Sequence, residues 1–230
     1  MSLFVTFEGG DGSGKSTQAC LLYNRLHQLA SSGDKEGQGV VLVHEPGGTP
    51  LGELVAEMLK RTRLLQEVYR AWVESDVWTG VNPRAELFLF AASRAQLVSE
   101  VIRPHLEKGH IVICDRFTDS TLAYQGYGRG LEIGLVEAVN EIATYGLRPD
   151  LTILLDLEVE AGLARVSNSR RIWRLEREGA VFHRRVREGY LKMAAADPKR
   201  WFVVDVMLSQ QEIGDLIWER VKRLLSEKAH

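Results

Sequence analysis

Cysteine is almost missing from this chain: of 230 residues only Cys20 and Cys114 are cysteines, far apart and outside any C-x-x-C or Cys/His spacing. Neither a disulfide framework nor a structural zinc site is supported, and a reducing cytoplasm is the expected compartment. Long apolar runs are also lacking. None approaches the ~18 residues of a membrane span, and no basic-then-apolar leader precedes the first motif, so a soluble protein without a membrane partner is expected. Nor is there an excess of either charge. Lys and Arg number 29 against 31 Asp and Glu, a net charge of -2, which gives no global attraction to nucleic acid. Repeats and low-complexity tracts are absent.

What is present is enough for a core. With 45% apolar and 26% charged residues, the chain fits one domain, 1–230. Apolar, β-branched runs at Leu3 to Phe7, Val40 to Val43, Ile111 to Cys114, Leu151 to Leu155 and Trp201 to Val204 predict five short buried strands. Helical spacing predicts helices over Ser16 to Ala30 (Ala19, Leu22, Leu26, Leu29), Arg84 to Leu106 (Leu87, Ala91, Ala95, Val98, Ile102), Leu135 to Tyr145 and Gln211 to Leu225. Strands alternating with helices imply an α/β fold with a mostly parallel sheet, whose ligands collect at the carboxyl ends of the strands. Residues 33–39 read as a loop and 66–83 as an insertion of irregular pattern.

Between the first strand and the first helix lies G-G-D-G-S-G-K-S-T, Gly9, Gly10, Asp11, Gly12, Ser13, Gly14, Lys15, Ser16 and Thr17. Strand, G-x-x-x-x-G-K-[ST] and helix together define a P-loop NTPase. Backbone N–H groups of the loop and the helix N-terminus surround the phosphates of ATP, Lys15 reaches the β and γ oxygens, and the Ser16 hydroxyl can ligate Mg²⁺. The loop does not say what receives the phosphate, and Asp11 is out of place beside an anion site. Phe90 and Arg94, four apart on one helix face, can present a ring for stacking on a base and a guanidinium for its edge. Asp115 and Arg116 follow a strand, where ligand contacts concentrate. The basic stretch from Arg165 to Arg187 holds eight arginines against Glu176 and Glu178.

Five segments in order resemble thymidylate kinases over nearly the whole chain: FEGGDGSGKST, EPGGTPLGE (45–53), LFLFAASRAQL (87–97), DRFTDSTLAYQGYGRGL (115–131) and FHRRVREGYL (182–191). The resemblance implies a five-stranded parallel sheet between helices, a nucleoside-monophosphate-kinase-like lid near 165–181, a homodimer, and transfer of phosphate from ATP to dTMP. It places Glu45, Phe90, Arg94, Arg116, Ser120, Thr121, Tyr124 and Gln125 around the acceptor, with Phe90 and Arg94 on the base. Asp115 falls near Mg²⁺, with Ser16 as its companion. Asp11 would accept a hydrogen bond from the deoxyribose 3′-hydroxyl, so the carboxylate would read a sugar. The acceptor phosphate is already largely dianionic, its second pKa being about 6, so no general base is required. Catalysis is then positioning and charge neutralisation by Lys15, Arg116, Mg²⁺ and lid arginines among Arg170, Arg171 and Arg174. Gly12 stands where some relatives carry Arg, which makes the lid the expected source of cationic charge. His44 and Trp173 depart from the family pattern. A kinase of another nucleoside monophosphate and a non-catalytic nucleotide-binding relative are the alternatives.

Overall fold

The computed structural model describes residues 2–31, 39–60, 67, 80–167, 175 and 178–229. Strands β1 (Leu3–Glu8), β2 (Val40–His44), β3 (Ile111–Asp115), β4 (Leu151–Asp156) and β5 (Trp201–Asp205) form one sheet in the order β2-β3-β1-β4-β5, every pair parallel. All five sequence-derived strands are therefore present.

Parallel strands need crossover helices, which cover both sheet faces. Alternate residues of β1 serve the two sides. Leu3, Val5 and Phe7 join Ala19, Leu22 and Leu26 of α1 (Lys15–Ser31) and Ile217 and Val221 of α9 (Gln210–Ala229). Phe4 instead packs with Leu97, Val98, Ile102 and Phe117 on the other face. Burial on both faces is why these strands read as continuous apolar runs. Leu29, included in the α1 stripe by its spacing, lies near the end of α1 and is 40% exposed.

The helices α2 (Pro50–Lys60), α3 (Pro83–Leu97) and α4 (Arg103–Glu107) precede β3, with a π-helical turn, Val98–Ile102, joining α3 to α4. The helix expected over 84–106 is thus one apolar column with a widened turn. Pro83 ends the irregular stretch by starting α3, and the Asn82 side chain caps it by accepting from the Arg84 N–H. Most of 66–83 lies outside the described residues. After β3 come α5 (Thr118–Thr121), a second π-helical turn (Leu122–Gly128) and α6 (Ile133–Thr144). Further along, α7 (Val159–Ser167) and α8 (Ala180–Ala196) bracket much of the basic segment. Sequence periodicity did not reveal α2, α5, α7 or α8.

Candidate active site

Register brings three chain segments to one end of the sheet. Phe7 pairs with Asp115 and His44 with Asp115, so the loop after β1, Glu45 after β2 and Arg116 after β3 emerge side by side. The ladder runs one step further, with Arg116 N–H donating to Phe7 O (3.0 Å) and Glu45 N–H to Asp115 O (2.9 Å). Arg116 adopts φ +72°, a conformation costly for a side-chain-bearing residue and found where surrounding structure imposes it.

A cavity of about 730 Å³ opens at this end. Asp11, Gly12, Gly14, Lys15, Ser16 and Thr17 of the loop line it together with Glu45, Phe90, Arg94, Ser120, Thr121, Tyr124 and Gln125, and with Asp115 and Arg116. The expected nucleotide loop and the expected acceptor residues thus share one cavity. Arg170, Arg171, Arg174 and Trp173 lie outside the described residues.

The Lys15 ammonium donates to Gly10 O (2.7 Å) and Ser13 Oγ (3.3 Å), curled back over its own loop. Burial, then the nearby Arg116, lower its pKa to about 8, against the pull of Asp11, Asp115 and Glu8. A phosphate in the loop would reverse that balance by supplying negative charge. Ser16 Oγ donates to Asp115 Oδ2 (2.5 Å), while Asp115 Oδ1 is buried without a hydrogen-bond partner among the described residues. A hydroxyl beside a carboxylate with an orphaned oxygen is a hard-oxygen donor set that suits Mg²⁺.

Asp11 is held from two sides. Arg116 Nη2 lies 2.5 Å from Oδ1, and the Tyr124 hydroxyl donates to Oδ2 (2.9 Å). Burial alone would raise the Asp11 pKa, but Arg116, Lys15 and Tyr124 outweigh it and the net shift is downward. The carboxylate therefore stays charged and orients Arg116, whose guanidinium also bonds Gly9 O and Ser120 Oγ and stacks 5.2 Å from the Tyr124 ring centroid.

Arg94 departs from the sequence picture of an arginine on a helix face beside the core. It is 1% exposed, with Nε donating to Glu45 Oε2 (2.8 Å), Nη1 to Asn140 Oδ1 (2.7 Å) and Nη2 to Phe117 O and Thr121 Oγ1. Of the five guanidinium N–H groups, these bonds engage four and leave one on Nη1. Phe90 is half-buried beside it.

Several residues of the site carry no sequence signal of their own. Glu8, fully buried at the end of β1, accepts from Phe117 N–H (2.8 Å), Ser120 Oγ (2.5 Å) and Tyr190 OH (3.0 Å), and so fixes the start of α5. Burial, then Asp119, raise its pKa to about 7. Its place within FEGGDG, adjoining the loop, was the available clue. Glu86, Asn140 and Tyr190 come from separate helices and Arg129 from the turn after Leu122–Gly128, and no spacing pattern links them.

The basic stretch is partly neutralised from α7 and β4. Arg184 pairs with Glu160 (2.6 Å), and Arg187 with Asp156 (2.8 Å) and Glu158 (2.5 Å). Glu178, one of the two glutamates within the basic stretch, pairs with Arg129 at 2.6 Å. His44, half-exposed, reaches Glu53 (3.1 Å).

A phosphate loop sharing one cavity with an aromatic ring, Phe90, polar side chains and the bridging Arg116, all at the carboxyl edge of a parallel sheet, defines a P-loop nucleotide phosphotransferase. The family described as thymidylate kinase matches residues 7–217, and curated thymidylate kinases are similar over nearly the full length. That of Dehalococcoides mccartyi is 49% identical over 225 residues, covering 98% of each chain. That of Thermomicrobium roseum is 46% identical over 226 residues, covering 98% of this chain and 97% of its own. The crystal structure of the Ehrlichia chaffeensis thymidylate kinase superposes with TM-score 0.69 at 31% identity, covering 96% and 98%. The chain belongs to the thymidylate kinase family.

Proposed function

We propose that this chain transfers the γ-phosphoryl group of ATP to the 5′-phosphate of dTMP, giving dTDP and ADP on the route to dTTP. What supports the assignment is one cavity lined by P-loop residues and by Phe90, Arg94 and Gln125, with Arg116 in its wall bonded both to the loop, at Gly9 O and Asp11, and to Ser120 and Tyr124.

Roles follow from position. Gly9 to Thr17 hold the ATP phosphates, with Lys15 on the β and γ oxygens. Arg116, aimed by Asp11, Gly9 O and Ser120, neutralises charge between donor and acceptor. Phe90 offers its ring to the pyrimidine, and the remaining Nη1 hydrogen of Arg94 suits a carbonyl on its edge. Asp11 is engaged on both oxygens, yet an ionised carboxylate has about four acceptor sites, so a sugar hydroxyl can still bond there. Tyr124 and Thr121 complete the wall. The dianionic acceptor attacks directly, so what these residues supply is alignment and charge. Ser16 and Asp115 would hold Mg²⁺, which neutralises phosphate charge when bound. Arg170, Arg171 and Arg174 are the proposed further cations.

We read the active species as a cytoplasmic homodimer. Leu51, Leu54 and Met58 recur on one face of α2 and are exposed, as is Phe88 on the adjacent α3. A second copy covering this apolar face is expected to give a dimer mass in sedimentation.

An ADP-release assay with dTMP, dUMP, dCMP, UMP, AMP and GMP tests the assignment. We expect dTMP to be preferred, dUMP to be slower and purines to be negligible. Turnover of AMP or GMP comparable to dTMP would overturn it.

A further inference from the structure

Glu86 is one of the least exposed charged residues described here, at 0% exposure in the first turn of α3. Its Oε1 accepts from Gln125 Nε2 (2.8 Å) and from Arg129 Nε (3.2 Å), and Oε2 from Arg129 Nη2 (3.4 Å). Arg129 is pinned in turn: Nη1 donates to Glu178 (2.6 Å), and its guanidinium lies 5.0 Å from the Phe182 ring centroid. A buried carboxylate needs such a cation, and the planar fork of arginine can serve two carboxylates at once.

The consequence falls on Gln125, which is 1% exposed and lines the cavity. An amide has a donor end and an acceptor end of nearly the same shape, and its neighbours decide which way each points. A carboxylate only accepts, so the donor end must face Glu86.

We propose that Glu86 and Arg129 are positioning residues for base selection: Arg129 anchors Glu86, Glu86 fixes the Gln125 amide with Nε2 inward, and Gln125 thereby offers its carbonyl oxygen to the base. A carbonyl in that place accepts from the N3–H of thymine or uracil. It meets the N3 lone pair of cytosine with a second lone pair. Rejection here rests on a repulsive contact as well as a missing bond, which is how polar sites discriminate most sharply. The inference rests on the acceptor reading above, in which the base lies against Phe90, Arg94 and Gln125.

Glu86→Gln tests it, because residue 86 can then accept or donate and the Gln125 amide is free to turn over. The ratio of kcat/KM for dTMP to that for dCMP, with the Ki of dCMP against dTMP as a second readout, is measured in wild type, Glu86→Gln, Gln125→Ala and the double variant. We expect Glu86→Gln to lower the dTMP preference about tenfold, the share of one hydrogen bond, with the KM for ATP unchanged. In the Gln125→Ala background the same substitution should change the preference little, since its route is gone. Undiminished preference in folded Glu86→Gln, or an equal loss without Gln125, overturns the proposal. Should Glu86→Gln fail to fold, Arg129→Lys keeps the charge but not the fork. It should lower the preference at least threefold, and an unchanged preference overturns the proposal equally. A wild-type enzyme with no preference for dTMP over dCMP would instead refute the placement of the base.

Discussion

Gly12 of the P-loop and Gly162 of α7 approach so closely that neither position has room for a side chain. A Cβ on Gly12 would meet Gly162 O at 2.7 Å, and one on Gly162 would meet Asp11 O at 2.6 Å. Arg165, one turn further along α7, donates to Gly12 O (3.2 Å). The lack of an arginine at position 12 is therefore a packing requirement here: φ is +77° and α7 occupies the space. Gly12→Ala is expected to lower kcat/KM for ATP at least tenfold, because the loop must shift off α7 and lose its phosphate geometry. Gly12→Arg should be at least as damaging. Wild-type ATP kinetics in Gly12→Ala would show that the contact is dispensable.

Asp11 and Arg116 give a second prediction. Asp11→Asn keeps the shape but removes the charge that holds Nη2 of Arg116 at 2.5 Å. We expect a loss in kcat as well as weaker dTMP binding. If Asp11 also receives the 3′-hydroxyl, dTMP should lose roughly 1.5 to 3 kcal/mol in binding and 2′,3′-dideoxy-TMP less. Calorimetric titration of both acceptors separates the roles, equal losses excluding the sugar contact.

Lys15 should set an alkaline limb on activity. Its pKa in the free enzyme is lowered to about 8 by burial and Arg116, and the protonated form is the one that binds phosphate. The ratio kcat/KM for ATP reports the free enzyme and should fall as pH rises through about 8. The limb should be weaker in kcat, since bound phosphate favours the ammonium. Lys15→Arg should lack this limb in ATP binding measured by fluorescence displacement, even if turnover is low.

Glu8 should impose a pH dependence on stability. Its folded pKa is raised to about 7, burial being the largest cause, whereas an unfolded Glu titrates near 4.3. Between those values the folded protein holds a proton that the unfolded chain has lost. The contribution of Glu8 is thus fully present below about pH 4 and lost as pH rises through about 7. Glu8→Gln, which cannot ionise, should lose less stability than wild type between pH 5 and 8. Urea unfolding at both pH values measures this, and parallel changes in the two proteins would exclude the effect.

The sequence alone determined the five strands, the P-loop and the segments that carry the family resemblance. Each of these is written in contiguous residues: apolar runs for strands buried on both faces, and glycines with Lys15 and Ser16 at fixed spacing for a phosphate cradle. The 3.6-residue period located α1, α3, α6 and α9, but it missed α2, α5, α7 and α8. Three of these are only 4 to 11 residues long, and a short helix shows too few turns for the period to stand out. Tertiary structure alone decided which polar side chains meet. Glu8 receives Tyr190 from 182 residues away, and Arg94 is clamped by Glu45, Asn140 and Thr121 from three separate segments. The packing of helices against one another and against the strand ends sets those meetings. Buried polar groups must find partners wherever the fold brings them, and local sequence carries no record of a partner that arrives from a separate segment.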